Sequence, residues 1–384
     1  MEHMSSSIAI LGIGTALPAF RIDQAETAER VADALREDPS SSRWAKKIFK
    51  QCAVESRYTC EPNLLESTPD CRYFSHTSLR GVPTTSERMK TYKRESVPLG
   101  LDAARKALLD AKADASDITH LITVSCTGQF LPGIDAALAV QLGLAADVNR
   151  IMLQFIGCAA GLKAVCLSRH LVLGNPSAKV LIVCVELCTL HMQPGGGRKA
   201  LFAAALFGDG ASACVVGRAG SSHNGIFKLG TDHSVLLPDS SDEMVWEVGD
   251  HGFDLYLSPN IPKLIGRFIP AEVERLIDGD DKPELWAIHP GGKGIVDILQ
   301  DMFGLTDEQS RSSRCVLRNY GNMSSATILF VLNEMRRELK ELGTEAANGI
   351  ALAFGPGLTA ELLKFTYLAP VKIPEPLLGG SACV

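Results

Sequence analysis

The chain of 384 residues lacks any apolar run near the ~20 residues that cross a bilayer; Gly, Pro or a charge interrupts each stretch first. No transmembrane helix is therefore expected. It also lacks a long Lys/Arg block, and its net charge is -6, which argues against nucleic acid as a main partner. No basic segment precedes the short apolar run in "MEHMSSSIAILGIGTALP", so no secretory signal is expected. Cys383 is second from last, where a prenylation box needs the fourth from last. No Cys-x-x-Cys occurs and no Cys/His spacing fits zinc, so no metal is expected. "GIGTAL" misses the third glycine of a dinucleotide fingerprint, and "GGGRKA" does not fit a phosphate loop.

What remains is a composition 46% hydrophobic and 21% charged, enough to bury one large or two medium cores. The 11 cysteines are odd in number and irregularly spaced, which fits reduced thiols in the cytoplasm better than a disulfide framework. Short runs rich in Val, Ile and Leu ("SIAILGI", "HLITVSC", "RIMLQFI", "KVLIVCVE", "SACVVGR") read as buried strands. "SVPLGLDAARKALLDAKA" and "AAGLKAVCLSRHLVLG" have helical spacing, the second ending in Gly174. This alternation predicts an α/β protein with largely parallel strands. Residues 59–92 are polar, Pro-containing and irregular, and read as a surface excursion.

The two halves echo each other. A strand ending at Cys126 matches one ending at His289, 163 residues on, and "GCAAG" matches "GNMSSA", with Cys158 and Asn322 separated by 164. A duplicated unit would present its strand ends to one cleft, with Cys158, His289 and Asn322 meeting there. The division falls near "GRAGSSHNG", giving an N-terminal half, 1–220, with the cysteine and a C-terminal half, 221–384, with the histidine and asparagine.

Cys158 stands after a strand and at a helix start, where the dipole and backbone N–H groups favour a thiolate. Gly157, Ala159, Ala160 and Gly161 leave room for another group to approach its sulfur, whereas Cys166, Cys184 and Cys214 sit inside element patterns as core residues. His289, at a strand end before Pro-Gly-Gly, is the histidine best placed to pair with that thiolate and to donate to an acyl carbonyl. His3, His223 and His233 lie in loop-like sequence and read as solvated. Asn322 alone reads as a helix cap; its functional reading is an amide aimed at a developing oxyanion. "FGPGLT" is either an ordinary turn or part of a ligand mouth, and Gly355 and Gly357 are candidate coenzyme A contacts there.

"GCAAG", "LFGDGASA", "HPGGKG", "YGNMSSA" and "FGPGLT" occur in the order and approximate spacing of the type III polyketide synthases, and the chain resembles that chalcone-synthase-like branch of the thiolase superfamily from about residue 120 to 365. The resemblance implies a duplicated five-layered α/β/α/β/α fold, a homodimer, and no metal or organic cofactor. By position it makes Cys158 the acyl-accepting nucleophile and His289 and Asn322 its catalytic partners. Phe207 falls on the gatekeeping phenylalanine and Leu255 on a second gatekeeper, a departure that widens the mouth. Cys126, Cys188, His191, Trp246 and Ser324 fall on cavity-lining positions, with a Cys/Cys/His set more like microbial members than plant ones. Lys46, Lys47 and Lys50 lie where the family binds coenzyme A phosphates, a solvated helix face being the other reading of each. The implied reaction loads an acyl-CoA starter on Cys158 and extends it with malonyl-CoA by decarboxylative Claisen condensation. A medium or long fatty acyl starter giving pyrones or resorcinols is the expected substrate and product class.

Two rivals use the same residues. An initiating ketoacyl synthase usually has Gln-Ala-Asn after its histidine, where this chain has Pro-Gly-Gly, and an HMG-CoA synthase needs a glutamate acid/base, for which Glu186 is available but not diagnostic. A catalytically silent acyl- or CoA-binding scaffold is the alternative of another class.

Overall fold

The computed structural model describes residues 7–67, 70–74, 79, 81–193, 197–220, 225–279 and 282–370. His3, His223 and Cys383 lie outside the described residues, as do positions 221–224 of the expected division.

In chain order the first half contains β1 (Ile8–Ala16), β2 (Phe20–Asp23), α1 (Gln24–Ala34), α2 (Pro39–Gln51), β3 (Ser56–Thr59), α3 (Thr85–Ala111), β4 (His120–Ser125) and α4 (Ile134–Leu142). It continues with β5 (Asn149–Gln154), α5 (Ala160–Gly174), β6 (Val180–Leu187), α6 (Arg198–Leu206) and β7 (Asp209–Arg218). The second half contains β8 (Phe227–Leu236), β9 (Met244–Gly249), β10 (Gly252–Leu257), α7 (Ile261–Ile277), β11 (Leu285–Ile288) and α8 (Lys293–Phe303). It ends with α9 (Asp307–Tyr320), α10 (Thr327–Glu341), β12 (Ala346–Gly355) and β13 (Thr359–Leu368).

Nine strands run in the order β11-β12-β13-β8-β1-β7-β6-β4-β5. The duplication is written in that order. In one half β4 pairs β6 in parallel, then β7 and β1 follow antiparallel. In the other β11 pairs β12 in parallel, then β13 and β8 follow antiparallel, so the sheet is mixed, with five of its eight pairings antiparallel, and not largely parallel as the alternation of strands and helices predicts. The half-sheets join where Ala9 and Ile10 face Lys228 and Phe227.

The layers follow from which faces are apolar. α5 and α10 lie between the half-sheets, sharing a core in which Leu162, Val165, Ile328 and Leu332 meet Ile182, Cys214, Ala351 and Leu363. α3 covers the outer face of the first half through Ala103, Ala104 and Ala107. That approach needs glycine on the strand, because a Cβ at Gly12 would fall 2.3 Å from the Ala111 backbone nitrogen. α7 and α8 cover the second half, packing Ile265, Ile269 and Leu299 on Ile350, Leu352 and Leu362. The result is the thiolase-like α/β/α/β/α arrangement.

All five runs read as strands are strands, and β6, buried at every position, has the continuous apolar sequence of a central strand. "RIMLQFI" differs from expectation in burial: β5 is the sheet's edge and is only half-buried, because nothing pairs with its outer side among the described residues. Residues 59–92 differ more. Cys60, Leu64, Cys71, Tyr73, Phe74 and Val82 are buried, and α3 already begins at Thr85 behind a Thr84/Glu87 capping box. Polar residues such as Glu66, Asp70, Arg72 and Glu87 do stay exposed, but Arg88 is buried and donates to the carbonyls of Leu190 (2.5 Å) and Met192 (2.8 Å).

Candidate active site

The chain reaches Cys158 through a tight turn after β5, with Phe155 at φ 56° and Gly157 at φ 79°. Gly157 is also closely covered, since a Cβ there would sit 2.3 Å from Pro356 Cδ. The neighbouring Gly355 faces Ile156 O and Ala159 Cβ, where its own Cβ would fall at 3.0 and 3.1 Å. The "FGPG" segment thus braces the nucleophile loop. Phe354 and Pro356 line the cavity in front of Cys158; Gly355 and Gly357, read as coenzyme A contacts, do not. Ala159 and Ala160 likewise leave the cavity wall and join the central core, because α5 turns them inward.

His289 follows β11 and its N–H donates to Leu352 O at 2.7 Å. The ring is fully buried, and neither Nδ1 nor Nε2 has a hydrogen-bond partner among the described residues. A buried imidazole with both nitrogens open costs stability unless something else fills the place, and such a group is expected where a substrate binds. Asn322 is oriented by its surroundings: Oδ1 accepts the Ser324 N–H at 2.8 Å, so Nδ2 points to Gly291 O at 3.3 Å and to Cys158 Sγ at 3.9 Å. It precedes a helical turn as expected, but its side chain serves the cavity.

Cys158, His289 and Asn322 share one cavity of about 750 Å³. Phe207, Leu255, Cys126, Cys188, Trp246 and Ser324 line it as expected. The sequence reading missed most of its apolar wall: Trp44 and Ile48 from α2, Met244, Tyr256, Leu257, Ile261 and Ile295. These residues carry no chemistry-bearing motif; the i, i+4 spacing of Trp44 and Ile48 on α2 is the one signal that puts two of them on a common face.

His191 occupies a different place. It lines an adjoining chamber of about 570 Å³ that shares Cys188, Lys199, Phe207, Trp246 and Leu255 with the first. Its Nε2 donates to Thr127 O at 2.6 Å and its Nδ1 accepts the Phe253 N–H at 3.0 Å. The ring stacks on Phe253 at 4.1 Å, and Trp246 Nε1 donates to Cys126 O at 2.8 Å. These contacts clamp the β9–β10 hairpin to the floor of the site, and burial lowers the His191 pKa to about 3, leaving it neutral.

Burial likewise disfavours the charged form of each group alone, pushing the Cys158 thiol up to about 11 and His289 down to about 3. This overrides the helix-start effect expected from the sequence. An isolated thiolate is therefore unfavourable here, and so is an isolated imidazolium. Only a proton passed from Sγ to the imidazole would create two opposite charges in the same cavity, whose attraction opposes the burial cost of each. Ser324 and Asn322 hydrogen bonds favour the thiolate further.

Glu186 lies beneath the site and does not line it. It accepts the Cys126 N–H (3.0 Å), Thr127 Oγ1 (2.7 Å) and Ser325 Oγ (2.5 Å), and burial raises its pKa. Of the α2 lysines, Lys46 pairs with Glu29 at 2.6 Å and Lys47 lies 5.1 Å over the Trp44 ring at the cavity rim. Lys50 is in the last turn of α2. Lys199 and Lys293 reach the cavity wall itself and were not singled out. Among the described residues no cluster of His, Cys, Asp or Glu could hold a metal ion, and no helix is long and apolar enough to cross a membrane.

Residues 2–220 match the family model for chalcone and stilbene synthases, N-terminal domain, and residues 228–368 match the C-terminal domain model. Type III polyketide synthase 21 of Oryza sativa subsp. japonica is 33% identical over 362 residues, 92% of each chain. The alpha-pyrone synthesis polyketide synthase-like Pks18 of Mycobacterium tuberculosis is 30% identical, over 94% of this chain and 91% of that one. The crystal structure of the C-terminal type III polyketide synthase domain of Steely1, a type I/III hybrid from Dictyostelium, superposes with a TM-score of 0.86 at 27% identity, covering 94% of this chain and all of that domain.

Proposed function

The chain belongs to the chalcone and stilbene synthase family, the type III polyketide synthases, and from that premise we propose that it extends an acyl-CoA starter with malonyl-CoA. Cys158 attacks the starter thioester as His289 takes the thiol proton, giving an acyl-enzyme and free coenzyme A. Malonyl-CoA then loses CO2, and its electron pair becomes a thioester enolate, so no strong base is needed. The enolate oxygen requires donors, and Asn322 Nδ2 and a His289 N–H supply two. The enolate carbon attacks the acyl group, and the Cys158 thiolate departs. The cycle uses no metal or organic cofactor beyond the coenzyme A thioesters.

The observation that carries this reading is the pair of open nitrogens on buried His289, beside the Asn322 amide and Cys158 in one apolar cavity. Apolar walls exclude water from the thioester and the enolate. We assign a medium or long fatty acyl starter and pyrone or resorcinol products. Leu255 at the junction and the adjoining chamber, which extends the space past Cys188, support the chain length. The alpha-pyrone name of the mycobacterial relative supports the product class. Gly355, Gly357, Lys46, Lys47 and Lys50 remain candidates for the coenzyme A moiety, with Lys47 at the rim the best placed. A thiol nucleophile suits the reducing cytoplasm. The unpaired edge of β5, flanked by exposed Leu131 (84%), Met152 (46%) and Phe155 (37%), supports a homodimer closed over that edge.

The test incubates the protein with a panel of acyl-CoA starters and radiolabelled malonyl-CoA, beside Cys158→Ala. Starter-dependent labelled pyrone or resorcinol, absent from the variant, is expected. Undiminished product from the variant, or none with any starter, overturns the proposal.

A further inference from the structure

Strand β3 carries no motif and lines no part of the cavity, yet it and the residue on either side of it grip the segments that carry the site. The Glu55 N–H donates to Arg318 O at 2.7 Å and Ser56 Oγ to Asn319 O at 3.0 Å, fixing the end of α9 just ahead of Asn322. Arg57 Nη1 donates to Phe207 O at 2.7 Å. The Cys60 N–H donates to Asp209 Oδ2 at 2.9 Å, two residues beyond Phe207.

The two gripped segments are themselves joined. The Gly208 N–H donates to Asn322 O at 3.0 Å and the Asn322 N–H to Leu206 O at 2.9 Å, so the gatekeeper and the catalytic amide sit on opposite strands of a two-bond bridge. Arg57 lies directly under it. A Cβ at Gly208 would fall 3.0 Å from Arg57 Cβ, and one at Gly321 would fall 3.6 Å from it. The guanidinium is wholly buried, and Nε and Nη2 have no partner among the described residues. Its single hydrogen bond therefore goes to the gatekeeper carbonyl, with the Phe49 ring 5.8 Å away and the Asp209 carboxylate near enough to favour its charge. A buried cation kept for one backbone contact is costly unless that contact matters, and side chains of similar volume without charge would otherwise be preferred.

We propose that Arg57 is a positioning residue that sets the Phe207–Asn322 bridge, and through it the aim of the Asn322 amide at the condensing enolate. This rests on the polyketide synthase reading of the same site. Asn322 Nδ2 is one of the enolate's two donors, whereas in loading it is a lesser aid, at 3.9 Å from Cys158 Sγ, to a thiolate formed by proton transfer to His289. Loosening the bridge therefore separates the two steps, and a misplacement of order 1 Å is enough to slow one of them by tenfold or more.

The experiment measures Cys158 loading from a radiolabelled acyl-CoA and, separately, condensation with malonyl-CoA, in wild type, Arg57→Met, Arg57→Lys and Gly208→Ala. Arg57→Met is expected to slow condensation at least tenfold while loading changes less than threefold. Arg57→Lys keeps the charge and can supply one N–H, so it restores condensation to within threefold of wild type. Should Arg57→Met fail to fold, Gly208→Ala gives the same reading, because its Cβ would fall 2.6 Å from Tyr320 O and spread the bridge with the charge retained. Equal loss of both steps, or no loss in either, in the folded variant overturns the positioning role. Absence of loading in wild type with every acyl-CoA would instead overturn the polyketide synthase reading, and with it the condensation role on which the proposal rests.

Discussion

Replacing Gly157 by alanine strikes the nucleophile loop at its tightest point. The residue sits at φ 79°, where an L side chain costs about 1–2 kcal/mol. Its new Cβ would meet Pro356 Cδ at 2.3 Å and Cγ at 3.0 Å, and a proline ring cannot rotate away. Forcing a methyl into a packed position costs about 1–3 kcal/mol more, for a total of roughly 2–5 kcal/mol. With an unfolding entropy of about 2.1 cal/mol/K per residue, the 384-residue chain should lose roughly 2–6 °C in Tm. Relieving the contact moves the loop by about 1 Å, enough to slow acylation of Cys158 by about 100-fold. The control is Gly174→Ala at the other end of α5, where nothing lies within 4 Å and φ is not positive; it should be neutral or stabilise by about 0.4–1 kcal/mol. Thermal melts and acyl-CoA loading read both variants. A Gly157→Ala protein that melts and loads like wild type would refute the strain and the bracing role of Pro356 together.

His289→Gln leaves the Cys158 thiol with its burial cost and no proton acceptor, so iodoacetamide labelling of Cys158 at pH 7 should fall at least tenfold. In that variant labelling should climb about tenfold per pH unit without a plateau below pH 9, and equal rates in the two proteins would contradict the paired ionisation. His191→Phe keeps the ring stack but strands the Phe253 N–H and the Thr127 carbonyl, which should cost about 2–4 kcal/mol by denaturant titration at pH 7. The folded pKa of His191 is depressed to about 3, so the unfolded chain binds its proton first as pH falls, and His191 contributes fully only above about 6.5. The Tm difference between wild type and His191→Phe should therefore shrink between pH 6.5 and 3; a constant difference would contradict a neutral, buried imidazole.

The three candidate catalytic residues were legible because each stands where sequence marks a junction: Cys158 after an apolar run, His289 before Pro-Gly-Gly, Asn322 before a small-residue helix start. The strands were legible because β6 and β7 are buried on both faces and so are apolar without a break. What escaped depends on pairings between distant segments. The Arg57 to Phe207 bond spans 150 residues and leaves no local trace. Residues 59–92 look solvent-facing because their partners lie across the fold: Arg88 donates to Leu190 O and the Cys60 N–H to Asp209. Ala159 and Ala160 could be placed beside Cys158 but not assigned a side, since one turn of α5 decides between cavity and core. His191 shares a wall with the site only through the adjoining chamber, a distinction of shape that spacing does not encode.

The central claim is that Cys158 holds the growing chain, and intact-protein mass spectrometry with peptide mapping tests it most directly. Incubation with a fatty acyl-CoA alone should add one acyl mass to the Cys158 peptide, and malonyl-CoA should then remove it as product. An acyl mass on Cys126 or Cys188 instead, or a Cys158 adduct that malonyl-CoA leaves in place, would contradict the account.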